Sequence, residues 1–150
     1  MTTSIEIPEV KSCAFCDYLS GARPFTILSR DELTATLVTR EQRGVGHLLV
    51  VPVAHRPTLL DLDSAEASAL MASVMVAARA ITDAYRPEGV AVWQNNGIAA
   101  HQTIPHVHFH VAGTLPQGGT EWDEVDEVSL DETDHIAAKL RPFIESSTQG

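Results

Sequence analysis

Three histidines alternate with single apolar residues around residue 108, and this spacing constrains the fold more than any other feature of the chain. His106, His108 and His110 occupy positions i, i+2 and i+4. On an extended strand alternate side chains point to one face, so the three imidazoles should project together from a strand over Ile104–Ala112. Three imidazoles side by side are an unusual choice for a core. The pattern therefore predicts a β-sheet with a chemical site on one face.

The segments around this strand predict an α+β fold. A long helix is expected over Ser64–Tyr85, because Asp63 and Glu66 form a capping-box pattern ahead of an apolar stripe. A second helix is expected over Thr133–Ser146, with a kink at Pro142. Four further strands are predicted over Phe25–Leu28, Leu33–Thr39, His47–Val51 and Val90–Gln94. We expect an antiparallel sheet of about five strands, crossed by the long helix, with the C-terminal helix at its periphery.

Composition excludes several classes of protein. The chain has 150 residues, 44% of them hydrophobic and 20% charged, which fits one globular domain. A formal net charge of −10 argues against binding to a nucleic acid polymer, although a few local donors could still hold a small anion. No apolar run approaches the roughly 18–20 residues that a membrane span requires. The first residues carry no apolar stretch typical of a secretory signal, so we expect a cytoplasmic protein with no membrane partner.

The alternating histidines allow two chemical hypotheses. Same-face neighbours on a strand are roughly 6.5–7 Å apart, so one zinc ion could bridge two of them, but the outer pair, about 13 Å apart, is too distant for one ion to bind all three. Alternatively, one imidazole is a nucleophile and its neighbours handle charge. Phosphorus is a suitable electrophile, because imidazolium groups and backbone amides can hold phosphate oxygens.

Several motifs together resemble the histidine-triad (HIT) family of nucleotide hydrolases and transferases. The resemblance is carried, in this order, by Cys13–Cys16, Gly46–Pro52, Asn95–Gly97 and Gln102–Val111. It implies the fold expected above for a HIT-like domain over residues 13–116. The sequence on either side predicts a flexible arm over residues 1–12 and an acidic extension with a helix over 117–150. It also implies a homodimer that pairs the long helices and extends the sheet.

The resemblance implies roles for individual residues. His108 would attack the α-phosphorus of a nucleotide and form a nucleotidyl-histidine, and His110 would bind phosphate oxygens as charge develops. His47 would support the triad. The positions that match contacts to the phosphate or leaving group are Asn95, Gln102 and Thr103. The implied activity is hydrolysis or transfer of a nucleoside monophosphate from a phosphoramidate, a dinucleoside polyphosphate or a related adenylate.

The two cysteines, Cys13 and Cys16, could be a redox pair, half of a zinc site or small core residues. Some members of the family are similar in pairing such cysteines with a histidine beyond the central proline and with the first histidine of the triad. The resemblance therefore implies a structural Zn²⁺ bound by Cys13, Cys16, His55 and His106. A set of four protein ligands is typical of a closed structural site, which leaves no position for substrate.

Some positions depart from the family pattern. Thr39 lies eight residues before His47, where many members carry an aspartate that binds ribose hydroxyls. Arg40 and Leu37 occupy positions that tend to carry apolar residues of the base pocket, and His101 replaces a small or apolar residue. These departures keep open a non-catalytic nucleotide-binding module. A metal-dependent hydrolase that uses the three strand histidines as ligands is the other alternative.

Overall fold

The computed structural model describes residues 5–148 and consists of one five-stranded antiparallel sheet with three α-helices. The strand order is β1-β2-β3-β5-β4, and every neighbouring pair is antiparallel. The predicted α+β fold is confirmed. The elements are α1 (Ala14–Ser20), β1 (Ile27–Arg30), β2 (Thr34–Val38), β3 (Val45–Pro52), α2 (Ser64–Tyr85), β4 (Val90–Trp93), β5 (Phe109–Gly113) and α3 (Leu130–Thr148).

The long helix α2 has the predicted bounds. The Asp63 carboxylate accepts the Glu66 N–H and the Glu66 carboxylate accepts the Asp63 N–H, so the capping box is present. By length and composition α2 could cross a membrane, with a mean hydropathy of 1.3 over its most apolar window. One of its faces, however, is buried in the core through residues that include Leu70, Val74 and Ile81. A core helix of a globular domain has these properties as well.

The sheet has two faces of different character because successive residues of a strand alternate between them. In β3, Leu48 and Val50 pack in the core beneath α2 and α3, whereas Leu49 and Val51 pack with Phe15 of α1 on the opposite face. The helix α3 lies over the β1–β2 side of the sheet and beside α2. It contributes Ala137, Leu140 and Ile144 to the same core as α2, so it is peripheral in position but not in packing.

The prediction of a strand over Ile104–Ala112 is wrong in its first half, because β5 begins only at Phe109. The His106 N–H donates to the Ile104 carbonyl at 2.8 Å, and the Val107 N–H donates to the Arg56 carbonyl at 2.8 Å. These bonds hold the backbone in a turn and against a loop, and Pro105 has no N–H to donate. His106 and His108 therefore precede the strand, and of the three histidines only His110 lies in it.

Other boundaries also moved. The helix α1 was not predicted; the Cys13 side chain caps its start and Gly21, at a φ of 82°, ends it. The last helix begins three residues before the predicted Thr133 and continues past Pro142. The first four residues of the predicted arm and the last two of the extension lie outside the described residues.

Candidate active site

A cavity of about 440 Å³ opens on the α1 side of the sheet. Apolar side chains of Phe15, Tyr18, Phe25 and Leu49 line one part of it, and His108 and His110 line another. The rings of Tyr18 and Phe25 stack at 4.0 Å between centroids. A cavity that combines an aromatic and apolar wall with converging polar side chains can bind a small molecule that has both kinds of surface.

Hydrogen bonds fix the proton positions of His108. Its Nδ1 lies 2.8 Å from the His106 carbonyl oxygen, which can only accept, so Nδ1 carries the proton and Nε2 keeps a free lone pair. His108 is only 8% exposed, and this burial lowers its pKa, which keeps the ring neutral at pH 7. A neutral imidazole with a free nitrogen in a cavity can act as a nucleophile.

A relay of donors and acceptors fixes His47 and His110. The Arg43 N–H donates to His47 Nδ1 at 3.0 Å, so the His47 proton lies on Nε2. Nε2 lies 3.0 Å from His110 Nδ1 and donates to it, which leaves the His110 proton on Nε2. Burial, with the nearby charge of Arg43, lowers the pKa of His47 to about 3, and burial lowers that of His110 to about 2. The His110 Nε2–H is thus available to donate without a positive charge on the ring.

Two residues that sequence reasoning missed hold this relay in place. The Gln42 side-chain amide donates to the Thr39 and His47 carbonyls at 2.7 and 2.9 Å and accepts the His47 N–H at 3.0 Å. Arg43 sets the tautomer of His47 through its backbone N–H. On the other side, Trp93 stacks on His110 at 4.7 Å with an interplanar angle of 4°. No residue pattern in the sequence marks Gln42, because its role depends on the conformation of one loop.

Asn95 and Thr103 line the cavity, as does Gln102. Gln102 is 4% exposed and its amide is engaged with three backbone groups: it accepts the Gly97 N–H at 2.7 Å and donates to the Pro57 and Ile104 carbonyls. These bonds brace the connection between β4 and β5, in which Gly97 and Ile104 lie, and tie it to Pro57 in the connection between β3 and α2. This arrangement favours a positioning role for Gln102 over a direct contact with substrate.

The structure also brings Cys13, Cys16, His55 and His106 together, with one ligand atom from each residue within 4.8 Å of all the others. Cys13 Sγ is 3.3 Å from His106 Nδ1, and Cys16 Sγ is 3.5 Å from His55 Nδ1. Sulfur and nitrogen ligands of a tetrahedral zinc ion should be about 3.6 Å apart, from Zn–S and Zn–N bonds of about 2.3 and 2.05 Å. The donor set and its spacing therefore fit a metal ion.

Hydrogen bonds and burial around this cluster determine which of its atoms can bind a cation. His106 Nε2 donates to the Pro52 carbonyl at 2.8 Å, which leaves Nδ1 as the free donor atom, and burial lowers the pKa of His106 to about 4. Burial and the neighbouring Cys13 raise the pKa of Cys16 to about 11. A bound divalent cation would reverse that preference and favour the thiolate.

The cluster and the cavity share structural parts. In the sequence, Phe15 stands between Cys13 and Cys16. Its ring centroid is 5.0 Å from that of His108 and 5.6 Å from that of His106. The His106 carbonyl holds the Nδ1–H of His108. The three histidines therefore divide: His106 turns towards the cysteines, and His108 and His110 face the cavity.

Three of the four positions compared with the family pattern in the sequence line this cavity. Thr39, Arg40 and His101 line it, and His101 adopts a left-handed conformation with a φ of 68°. Leu37 is fully buried in the core cluster of Phe15.

His106 turned towards the cysteines, with His108 and His110 facing a cavity on one face of an antiparallel sheet, is the arrangement that the resemblance to histidine-triad proteins implies. Comparison with known sequences agrees: a family model for the HIT domain matches residues 21–116. The chain therefore belongs to the HIT domain family.

Relatives and solved structures place the chain within this family. It is 33% identical over 111 residues to adenosine 5'-monophosphoramidase hnt1 of Schizosaccharomyces pombe, covering 74% of this chain and 78% of that protein. It is 30% identical over 118 residues to the asymmetrical bis(5'-nucleosyl)-tetraphosphatase of the same yeast, covering 79% and 62%. A zinc-bound histidine triad family protein from Mycobacterium smegmatis shares its fold, with a TM-score of 0.78, 24% identity and coverage of 92% and 96%.

Proposed function

We propose that this protein is a nucleotide hydrolase or nucleotidyl transferase that acts at the α-phosphate of a nucleoside phosphoramidate, a dinucleoside polyphosphate or a related adenylate. The observation that carries the proposal is the buried, neutral His108, whose Nε2 lone pair is free while its Nδ1–H is held by the His106 carbonyl. The two yeast relatives are named as a phosphoramidase and a tetraphosphatase, and these names support the same reaction class.

The reaction would proceed in two displacements. First, His108 Nε2 forms a bond to the α-phosphorus while the bond from phosphorus to the leaving group breaks, and the leaving group takes up a proton from solvent. The new positive charge on His108 is stabilised by its Nδ1–H bond to the His106 carbonyl. Water or another acceptor then attacks phosphorus and gives up its proton to solvent, the bond from phosphorus to His108 Nε2 breaks, and neutral His108 is restored.

His110 would stabilise the charge that develops on phosphate oxygens. The Arg43 N–H bonds to His47, and His47 in turn bonds to Nδ1 of His110. The Nε2–H of His110 is therefore available to donate to a phosphate oxygen. Because both rings are already neutral and fixed, they need not reorganise during the reaction. Asn95 and Thr103 are proposed to contact the phosphate or leaving group from the cavity wall, and Gln102 to position the loops around them.

We further propose that Cys13, Cys16, His55 and His106 bind a structural Zn²⁺. The Cys2His2 donor set and its distances support this, and the zinc named for the mycobacterial protein is consistent with it. When bound, the ion would fix the segment before α1 to the loop after β3. With four protein ligands it has no open position for substrate.

The proposal includes a cytoplasmic homodimer. β4 is an edge strand of the sheet, and Val92 on it is 47% exposed. Met71 and Met75 on α2 are also exposed. An unpaired strand edge and an apolar helix surface together support pairing with a second copy.

A turnover assay tests the proposed function. Wild-type protein and His108→Ala would be offered adenosine 5'-phosphoramidate, a diadenosine polyphosphate and an adenylated amine, with products followed by phosphorus NMR before and immediately after the addition of excess chelator. We expect the wild type alone to release adenosine monophosphate. Nucleotide binding without turnover would instead select the non-catalytic module, and immediate loss of wild-type activity on chelation would select a metal-dependent hydrolase.

A further inference from the structure

The acidic segment over residues 120–128, which we call the C-terminal strap, is fixed to the loop that follows β2. The Glu121 N–H donates to the Arg43 carbonyl and the Val128 N–H to the Arg40 carbonyl, each at 2.8 Å. The side chains of these two arginines bond back to the strap: Arg40 Nε donates to the Val128 carbonyl at 2.8 Å, and Arg43 donates to the Asp123 carbonyl at 2.6 Å. The strap therefore has a defined position beside the cavity.

This attachment brings one strap carboxylate to the cavity wall. Glu127 lines the cavity together with Arg40 and Tyr18. Its Oε2 is 3.1 Å from the Arg40 guanidinium, which is itself held by the Val128 carbonyl. The carboxylate is thus oriented, and a carboxylate bonded through one oxygen still has acceptor capacity for further donors.

A nucleoside presents donors that match such an acceptor. The ribose carries two neighbouring hydroxyls, and a carboxylate can accept a hydrogen bond from each. Within residues 5–148, the carboxylates that line the cavity are Glu41 and Glu127, and Thr39 offers only a hydroxyl, which already accepts the Glu41 N–H. Of the two carboxylates, Glu127 has its orientation set by an ion pair.

We propose that Glu127, oriented by Arg40, is a specificity-determining residue that binds the ribose hydroxyls of the nucleotide. This inference rests on the proposed function, since it requires the phosphate at His108. It assigns a role in substrate recognition to the acidic extension. Arg40, which replaces an apolar residue of the family pattern, is then a positioning residue for this contact.

The test compares adenosine 5'-phosphoramidate with its 2',3'-dideoxy analogue. The wild type should prefer the ribose substrate by about 10- to 100-fold in kcat/KM, the range expected for hydrogen bonds to a charged group. Glu127→Gln should reduce that preference to less than about threefold, through a higher KM for the ribose substrate and an unchanged kcat. The matched control is Glu124→Gln, an exposed acid of the same strap, which should retain the preference. Equal thermal unfolding of the two variants excludes an effect on folding.

Several results would overturn the inference. Retention of the ribose preference in Glu127→Gln would overturn it, and loss of that preference in Glu41→Gln would then assign the contact to Glu41. A wild type that turns over both substrates equally would also overturn it. If the wild type turns over neither substrate, the proposed function itself fails and the inference with it.

Discussion

The two faces of the sheet are built from the same strands but are specified in different ways. His110 and Val111 are neighbours in β5. Val111 is fully buried in the core under the helices, where shape and apolarity suffice. His110 faces the cavity, where its function depends on the chain of bonds from the Arg43 backbone through His47. One face follows from periodicity, whereas the other requires hydrogen bonds between residues distant in sequence.

Among single substitutions that compare the two faces of the sheet, His110→Ala on the cavity face should have the largest effect, and this effect should be on activity. Loss of the Nε2–H donor should lower kcat by about 10²- to 10³-fold, the effect of removing one donor to a developing oxyanion. Single-turnover kinetics on a phosphoramidate substrate measures this. Trp93→Phe, which keeps an aromatic ring against His110, is the matched control and should change kcat far less. A kcat within threefold of wild type in His110→Ala would remove that residue from the mechanism.

Metal removal should disturb the cavity face and spare the helix-covered face. For a metal present at 100 to 1,000 times its Kd, stripping it should lower the unfolding free energy by about 3–4 kcal/mol. Hydrogen exchange should accelerate in α1 and in the loop around His55, with α2 unaffected under native conditions. Cys16→Ser should reproduce the loss and be insensitive to added zinc. An equal acceleration in α2 would contradict the division between the faces.

Val111→Ala should lower stability and leave activity nearly unchanged, which is the converse of the effect expected for His110→Ala. Truncation of a fully buried valine should lower the unfolding free energy by about 1.5–3 kcal/mol, measured by urea denaturation. Activity per folded molecule should stay within about twofold of wild type. A large fall in kcat for the folded fraction would show that the two faces are coupled.

A fall in pH should lower the free energy of unfolding through the neutral histidines of the cavity face. His47 has a pKa of about 3 in the folded protein against about 6.5 when unfolded, so its contribution to stability is present above pH 6.5 and is lost as the pH falls. The loss is about 1.4 kcal/mol for each pH unit below 6.5. The difference in unfolding free energy between wild type and His47→Gln should therefore shrink with that slope as the pH falls. A flat profile for His47→Gln would show that the ring is not held neutral.

The sequence predicted the features that depend on local spacing. The bounds of α2 follow from the capping box and its apolar stripe, and the α+β fold follows from the strand and helix signals. The grouping of Cys13, Cys16, His55 and His106 came from the resemblance, and the structure brings the four together. Their role as ligands stays a prediction.

Features that depend on contacts between distant segments could not be predicted. The start of β5 moved because the Val107 N–H bonds to Arg56 rather than to a strand. The clamp by Gln42 and the strap on Arg40 require loops whose conformation is set by the complete fold. Neither has a characteristic spacing of residue types, so periodicity and motif arguments do not detect them.

The stereochemical course at phosphorus tests the central claim most directly. A substrate with an α-phosphorus made chiral by sulfur would be hydrolysed in ¹⁸O-labelled water, and the configuration of the product determined by phosphorus NMR. Two displacements through a nucleotidyl-His108 intermediate predict net retention of configuration. Net inversion would mean that water attacks the substrate directly, and it would contradict a covalent role for His108.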